Sequence, residues 1–517
     1  MSAPERDDPK SAVLNALTFA SAKAQADALA AGRVSAVDLL EHSLARIARF
    51  DGVLNAVVAR DYDVARAAAR EADAALARGE RRPLLGVPIT VKESFDVAGL
   101  VTTFGNPAFI RNRAERDSLA VAALREAGAV IIGKSNVPLS LSDLQSYNEV
   151  YGLTRNPWDP ERTPGGSSGG SSAALAVGYV ALELGSDIGG SIRIPAHFTG
   201  VYGHKPSYGL VSLLAGGVPK ARYAARDLSV AGPLARSAGD LELALDLLLN
   251  RDPLTNKAWR ATLPPARHTT LADFRVLVID TWPGTERSLS ERLVIERVVE
   301  RLRTQGAQVS RPADLPEGLL PDLARAHVLY RTLLGSSLAE PPVPSEAARR
   351  RFAALPPDDD SADAAWLRAP HLAHRDWLNA DEQRHALRYE WERLFSAFDV
   401  VVTPVAPAAA FRHNQQEPKD ERTYPVAFEG GVRQVRFLDF FYWAGLPVLP
   451  GLPATSFPLG LDDDGLPVSA QAVGPWLEDR TPIAFARLLE DAYGGFLVPP
   501  GYEALPVGHA GERRIGA

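Results

Sequence analysis

The chain has 517 residues, a net charge of −7 and 46% hydrophobic residues, the balance of a soluble globular protein. It has no cysteine, which excludes disulfides, a thiol nucleophile and thiolate metal sites together and fits a reducing, cytoplasmic setting. It also has no run of six or more Lys/Arg residues, so nothing in its charge pattern points to nucleic acid as a partner.

The first twenty residues carry acidic side chains and lack the continuous apolar stretch of a signal peptide. Residues 11–80 read as helical. Ser35 is a candidate N-cap for a helix that places Leu40, Leu44 and Ile47 on one face, and the Ala/Arg-rich stretch 64–78 continues that character. Residues 84–91 then turn short, apolar and β-branched, and predict a buried strand ending at Lys92. A helix over 118–127 and a strand over 129–133 follow. Residues 154–210 are rich in Gly, Ser and Pro but enclose a helix-like stretch, 172–179. Further along come a strand at 275–280, an amphipathic helix at 290–305 and a strand at 400–403. Alternation of this kind predicts an α/β fold with helices on both faces of a sheet.

Segment 312–395 has Pro-rich patches, three aspartates at 358–360, and Trp366, Trp377 and Trp391. It reads as a helical insertion or lid over the site, with a separate small domain as the alternative. Residues 440–461 are apolar and long enough to span a bilayer, but prolines at 447, 450, 453 and 458 break helical hydrogen bonding there. Buried strand and loop is the expectation. No internal repeat is visible, and one domain over 1–517 accounts for the pattern.

Two Gly/Ser clusters hold the chemistry, GGSSGG at 165–170 and DIGGS at 187–191. Either alone reads as a flexible loop. Neither has the Lys-Ser/Thr of a P-loop nor G-x-G-x-x-G spacing after a strand. Together they offer more. Amide hydrolysis needs a nucleophile, a base and donors for the developing oxyanion. The backbone N–H groups of Ile188, Gly189, Gly190 and Ser191 can converge beside the Ser191 hydroxyl. The base is open at this level. Among ten histidines, His197 and His204 lie nearest in sequence, and a lone histidine is more often structural. A buried, neutral lysine can do the same work if its value falls several units from near 10.4. Lys92 closes an apolar strand where desolvation would act, although a strand-end lysine is more often at the surface.

At this point the residues resemble a known family. Segment 165–195 is similar to the amidase signature along its whole length. The spacing agrees with that of fatty acid amide hydrolases, 75 residues from Lys92 to Ser167 and 24 from Ser167 to Ser191. Flanking blocks resemble the family too: GVPITVKESFDVAG around Lys92, GAVIIGKSNVP at 128–138, YGLTRNPWD at 151–159, DLSVAGPLARS at 227–237 and GLPATSFPLG at 451–460. Segment 312–395 is unmatched. The resemblance implies the amidase-signature fold, a central twisted mixed β-sheet flanked by helices on both faces, with 84–250 as its core.

It also implies roles. Ser191 resembles the acylated nucleophile. Ser167, preceded by Gly166 in a cis peptide, resembles the bridging serine, and Lys92 the buried base. The N–H groups of Ile188, Gly189, Gly190 and Ser191 resemble the oxyanion hole, Leu141 falls where members offer backbone to substrate, and Asp187 and Arg193 resemble residues that brace the loop. No cofactor or metal is implied, and no H-x-x-x-H spacing occurs. The implied partners are a small-molecule amide and water, with a homodimer compatible. Two departures stand out: Glu93-Ser94 where Asp-Asn is frequent, and Leu139 where many members have Glu. Alternatives are an amidotransferase subunit, an esterase or carbamate (urethane) hydrolase using the same machinery, and a non-catalytic binding protein. The aromatics at 366, 377, 391 and 440–443 are candidates for an apolar acyl or aryl pocket, or for core packing.

Overall fold

A computed structural model describes residues 9–214, 216–218, 223–249, 251–337 and 346–503. Parts of three stretches discussed above, residues 1–8, residues 215, 219–222 and 250, and residues 338–345, lie outside the described residues.

One mixed sheet of eleven strands runs through the molecule. In chain order these are β1 (Val57–Arg60), β2 (Pro88–Lys92), β3 (Val130–Ser135), β4 (Leu182–Asp187), β5 (Tyr202–Lys205), β6 (Val230–Ala235), β7 (Arg275–Val278), β8 (Gln308–Ser310), β9 (Val400–Pro404), β10 (Ala454–Leu461) and β11 (Pro467–Val473). Across the sheet they lie in the order β1-β3-β2-β4-β6-β5-β10-β11-β9-β7-β8. The strands β3, β2 and β4 are mutually parallel, as are β9, β7 and β8. Lys92 pairs in register with Ser135, and Val91 with Leu184. The carboxyl ends of β3, β2 and β4 therefore finish side by side, the place where open α/β sheets leave room for a ligand.

Helices cover the sheet much as the sequence patterns require. Helix Ala36–Leu54 begins at Ser35, whose hydroxyl accepts the Asp38 N–H at 3.0 Å while the Asp38 carboxylate accepts the Ser35 N–H at 3.4 Å. This reciprocal cap satisfies two otherwise orphaned donors and is worth about 1 kcal/mol. Leu40, Leu44 and Ile47 are buried beneath it. Helices Leu119–Glu126 and Leu289–Thr304 and strands β7 and β9 fall where expected, to within a residue or two.

Three expectations need correction. The helical region 11–80 contains a strand, β1, which adds antiparallel to β3 and buries Val57 and Ala59. At four residues it is too short to impose a period on the sequence around it. Residues 84–87 form a turn, with the Val87 N–H bonded to the Leu84 carbonyl at 2.9 Å, so the strand starts only at Pro88. Within 440–461 a short helix, Phe441–Gly445, precedes the turns and β10.

Segment 312–395 supplies helices Leu323–Ser337, Glu346–Ala353, Ala362–Arg368 and His374–Ala397. Tyr330, Leu333, Trp391 and Leu394 pack against Leu277, Val401 and Val473 of the sheet, and against Trp443. This second core is joined to the sheet that carries the site. Among the described residues, no helix is long and apolar enough to cross a membrane.

Candidate active site

Strand β2 brings Lys92 to the edge of the site and buries it completely. Its Nζ lies 2.7 Å from Ser167 Oγ, 2.9 Å from Ser186 Oγ and 3.4 Å from the Ser186 carbonyl. Burial pushes the lysine down to about 7, against the opposing charges of Asp187 and Glu183 and with the help of Arg226. Three partners suit a neutral amine well. Two N–H groups can go to the Ser186 carbonyl and hydroxyl oxygens, leaving the lone pair for the Ser167 O–H.

Ser167 follows a cis peptide from Gly166, just before helix Gly169–Ala176. The loop after β4 carries Ser191. The Ser168 N–H donates to the Ser191 carbonyl at 3.2 Å, which ties the two serine segments together. Ser191 is 7% exposed, and its hydroxyl makes no hydrogen bond among the described residues.

A buried ion pair sets the path of that loop. Arg193 Nη2 and Nε lie 2.9 and 3.1 Å from the two Asp187 oxygens. Arg193 also donates to Gln471 Oε1 at 2.8 Å and to the Ala444 carbonyl at 2.9 Å. Burial alone would raise the Asp187 carboxyl. Arg193, by charge and hydrogen bonds, outweighs it with help from the Gly190 N–H and Lys205, and Asp187 stays below its ordinary value. Replacing Arg193 by alanine should destabilise the fold by about 3–5 kcal/mol, since it strands a buried carboxylate. Urea denaturation would measure this, and a loss under about 1 kcal/mol would contradict it.

The Asp187 side chain also decides which backbone donors remain. It accepts the Gly190 N–H at 2.8 Å and the Ile192 N–H at 3.1 Å. Gly190, at φ +98°, can turn inward this way because it has no Cβ to meet Ile194 and Ala444. Of the four N–H groups expected at an oxyanion hole, Gly190 is thus committed within the protein. Those of Ile188, Gly189 and Ser191 have no acceptor among the described residues.

A pocket reaches Ser186 and Leu141, with Ser94, Phe95, Phe104 and Arg226 also on its walls. The Leu141 N–H is used by the Pro138 carbonyl at 3.0 Å. Among the described residues no three His, Asp or Glu side chains converge in a way that would hold a metal ion.

The similarity of the whole chain can be judged against this geometry. A model of the amidase family matches residues 38–482. The chain belongs to the amidase family. It is 34% identical to a glutamyl-tRNA(Gln) amidotransferase subunit of Anaeromyxobacter sp. (strain K), covering 91% of this chain and 96% of that one. It is 36% identical to the putative amidase AmiB2 of Mycobacterium tuberculosis (strain ATCC 25618 / H37Rv), over 92% and 96% of the two chains. A solved structure from a vestigial protein complex, described as revealing the evolutionary origins of an s-triazine catabolic enzyme, superposes with a TM-score of 0.74 at 28% identity. That match covers 93% of this chain and 100% of the other.

In this member of the amidase family the histidine alternatives are placed elsewhere. His204 lies between Thr455 Oγ1 at 2.9 Å and Asp479 Oδ1 at 3.2 Å. His197 accepts the Ser469 N–H and faces the Ala408 carbonyl. Neither is bonded to Ser191. Glu93 is buried and spends its carboxylate on the Thr103 and Phe104 N–H groups, while Ser94 faces the pocket and Leu139 is exposed. Trp391, Phe440 and Trp443 belong to the core. Trp366 stacks on Arg331 at 5.1 Å, and Arg384 lies over Trp377 at 5.9 Å. Phe441 lies beside Gly189 in the loop after β4.

Three residues of the site escape a reading of motifs: Ser186, Glu183 and Tyr330. Glu183 had a visible signal, a single carboxylate inside the apolar run VALELG. Ser186 had none beyond its place before Asp187. Tyr330 lies in segment 312–395, outside the sequence blocks that carried the resemblance.

Proposed function

We propose that this amidase-family chain is a hydrolase that cleaves carboxylic amide C–N bonds through an acyl-enzyme on Ser191, with Ser167 and Lys92 as its proton relay. The observation that carries the reading is a fully buried lysine, depressed to about 7, in contact with Ser167 beside the Ser191 loop. Neutral Lys92 takes the Ser167 proton as Ser167 takes that of Ser191. The relay requires the Ser167 and Ser191 hydroxyls to meet once substrate is bound, the stage at which catalytic hydrogen bonds commonly tighten. Ser191 attacks the carbonyl carbon, and the oxyanion forms against the uncommitted N–H groups of Ile188, Gly189 and Ser191. The relay then runs backwards to protonate the departing amine. Water releases the acyl group by the same route.

The pocket beside Ser186 is walled by Phe95, Phe104 and Leu141, apolar surface that suits the acyl or aryl part of a small to medium amide, anilide or related carbamate. A cytoplasmic location fits the absence of cysteine. The decisive experiment offers the purified chain a panel of aliphatic, aryl and peptide amides, esters and carbamates, together with a fluorophosphonate that labels serine nucleophiles. Amide turnover with the label on Ser191 is the expected result. No turnover and no label would overturn the reading. The similarity to an amidotransferase component supports a second reading, in which ammonia is passed to an acyl-tRNA with partner subunits. Hydrolysis by the chain alone, independent of added partners, would dispose of it.

Glu183 gives the proposal a further handle. Its carboxyl pairs with the Thr90 hydroxyl at 2.5 Å, and burial pushes it up to about 7. When ionised it raises Lys92. The two groups titrate as a pair. Glu183→Gln removes that charge, so Lys92 becomes neutral at lower pH and the rising limb of kcat/KM should move to lower pH. An unmoved limb would remove Glu183 from the electrostatics of the base.

A further inference from the structure

Helix Leu323–Ser337 sends one side chain to the oxyanion loop. Tyr330 is 1% exposed, and its hydroxyl donates to the Ile188 carbonyl at 3.2 Å. Two glycines clear its position. A Cβ on Gly445 would sit 2.5 Å from the Tyr330 ring, and one on Gly189 would sit 3.0 Å from its hydroxyl and 2.9 Å from Phe441. The ring is held from behind by His327, 6.1 Å away between centroids, which in turn packs on Tyr442 and Trp282. The phenol therefore has little freedom to leave the loop.

The peptide joining Ile188 to Gly189 is trans, since the cis bonds lie elsewhere. In a trans peptide the carbonyl and the following N–H point to opposite sides of one rigid plane. A donor that fixes the carbonyl therefore also fixes the direction of the N–H. Asp187 already takes the Gly190 N–H inward, so Gly189 is one of three donors left for an oxyanion. A hydrogen bond to the carbonyl also polarises the amide and strengthens its N–H as a donor.

We infer that Tyr330 is a positioning residue of the oxyanion hole: it grips the Ile188 carbonyl and so aims the Gly189 N–H at the carbonyl oxygen of the substrate. The inference rests on the proposed role of Ser191. It also assigns a task to segment 312–395, which carries part of the scaffold of the reacting centre beyond any covering function. Burial raises the Tyr330 phenol, so it remains a donor across the working range.

The test is Tyr330→Phe in the full chain, which keeps the ring between its two glycines and removes only the hydroxyl. Deleting an oxyanion donor outright typically costs about 100- to 1,000-fold in kcat, so loosening one should cost about tenfold. The expected result is a tenfold lower kcat with KM changed less than twofold. The affinity of an arylboronic acid, which forms a tetrahedral adduct on a serine, should weaken by the same factor. A merely structural tyrosine would lower the melting temperature without this split. The rate of fluorophosphonate labelling of Ser191 gives an independent single-turnover measure. Unchanged kcat and boronate affinity in a folded variant would overturn the inference while leaving Ser191 in place. An unreactive wild-type chain would instead overturn the reading on which it rests.

Discussion

Ser191→Ala should lower kcat on a good amide substrate by about five to six orders of magnitude, with the melting temperature almost unchanged. The hydroxyl has no hydrogen bond among the described residues, so its removal strands no partner and the fold has little to lose. The chemistry loses its acyl acceptor. Intact mass spectrometry during turnover should show an acyl adduct on the wild-type chain and none on the variant. Residual hydrolysis within tenfold of wild type would mean that another group attacks the carbonyl. Pairing this change with Ser167→Ala should cost little beyond the first, since the residues act as a unit.

Lys92→Ala should have the second largest effect, and its size should depend on the leaving group. An amine must be protonated to leave and an alkoxide needs this far less. General acid–base assistance is worth about 100- to 10,000-fold, so amides should fall toward the upper figure and matched esters toward the lower. Equal losses on both would count against Lys92 as the route to the leaving group. The pH dependence supplies the sign. Lys92 is lowered to about 7, so it is neutral above that value and protonated below it. Wild-type kcat/KM should therefore rise through pH 7, and that limb should vanish in the alanine variant. A wild-type limb falling over the same range would require the charged lysine to be the active form.

Much of this site could be read from the sequence because its groups sit on short segments with local rules. Lys92 closes a β-branched strand, and the two serines flank glycines that permit tight turns. Ser35 announced its helix by the same logic, with Asp38 three residues on completing the cap. What stayed hidden depends on partners far away in the chain. Gly190 reads as an oxyanion donor until Asp187 is seen to occupy its N–H. Strand β1 exists because β3 offers it an edge, and its four residues give no period of their own. Tyr330 meets Ile188 across 142 residues of sequence, beyond any local pattern.

The hold of Arg193 on Gln471 and on the Ala444 carbonyl has a consequence for biosynthesis. Lys92, Ser167 and Ser191 are all synthesised long before those two anchors are made. A product terminated near residue 440 would contain the lysine and both serines, yet Arg193 would keep only Asp187 of its three partners. Prematurely stopped chains should thus hold the Ser191 segment less firmly than the full chain does, because the last anchors of Arg193 come from the end of the sequence.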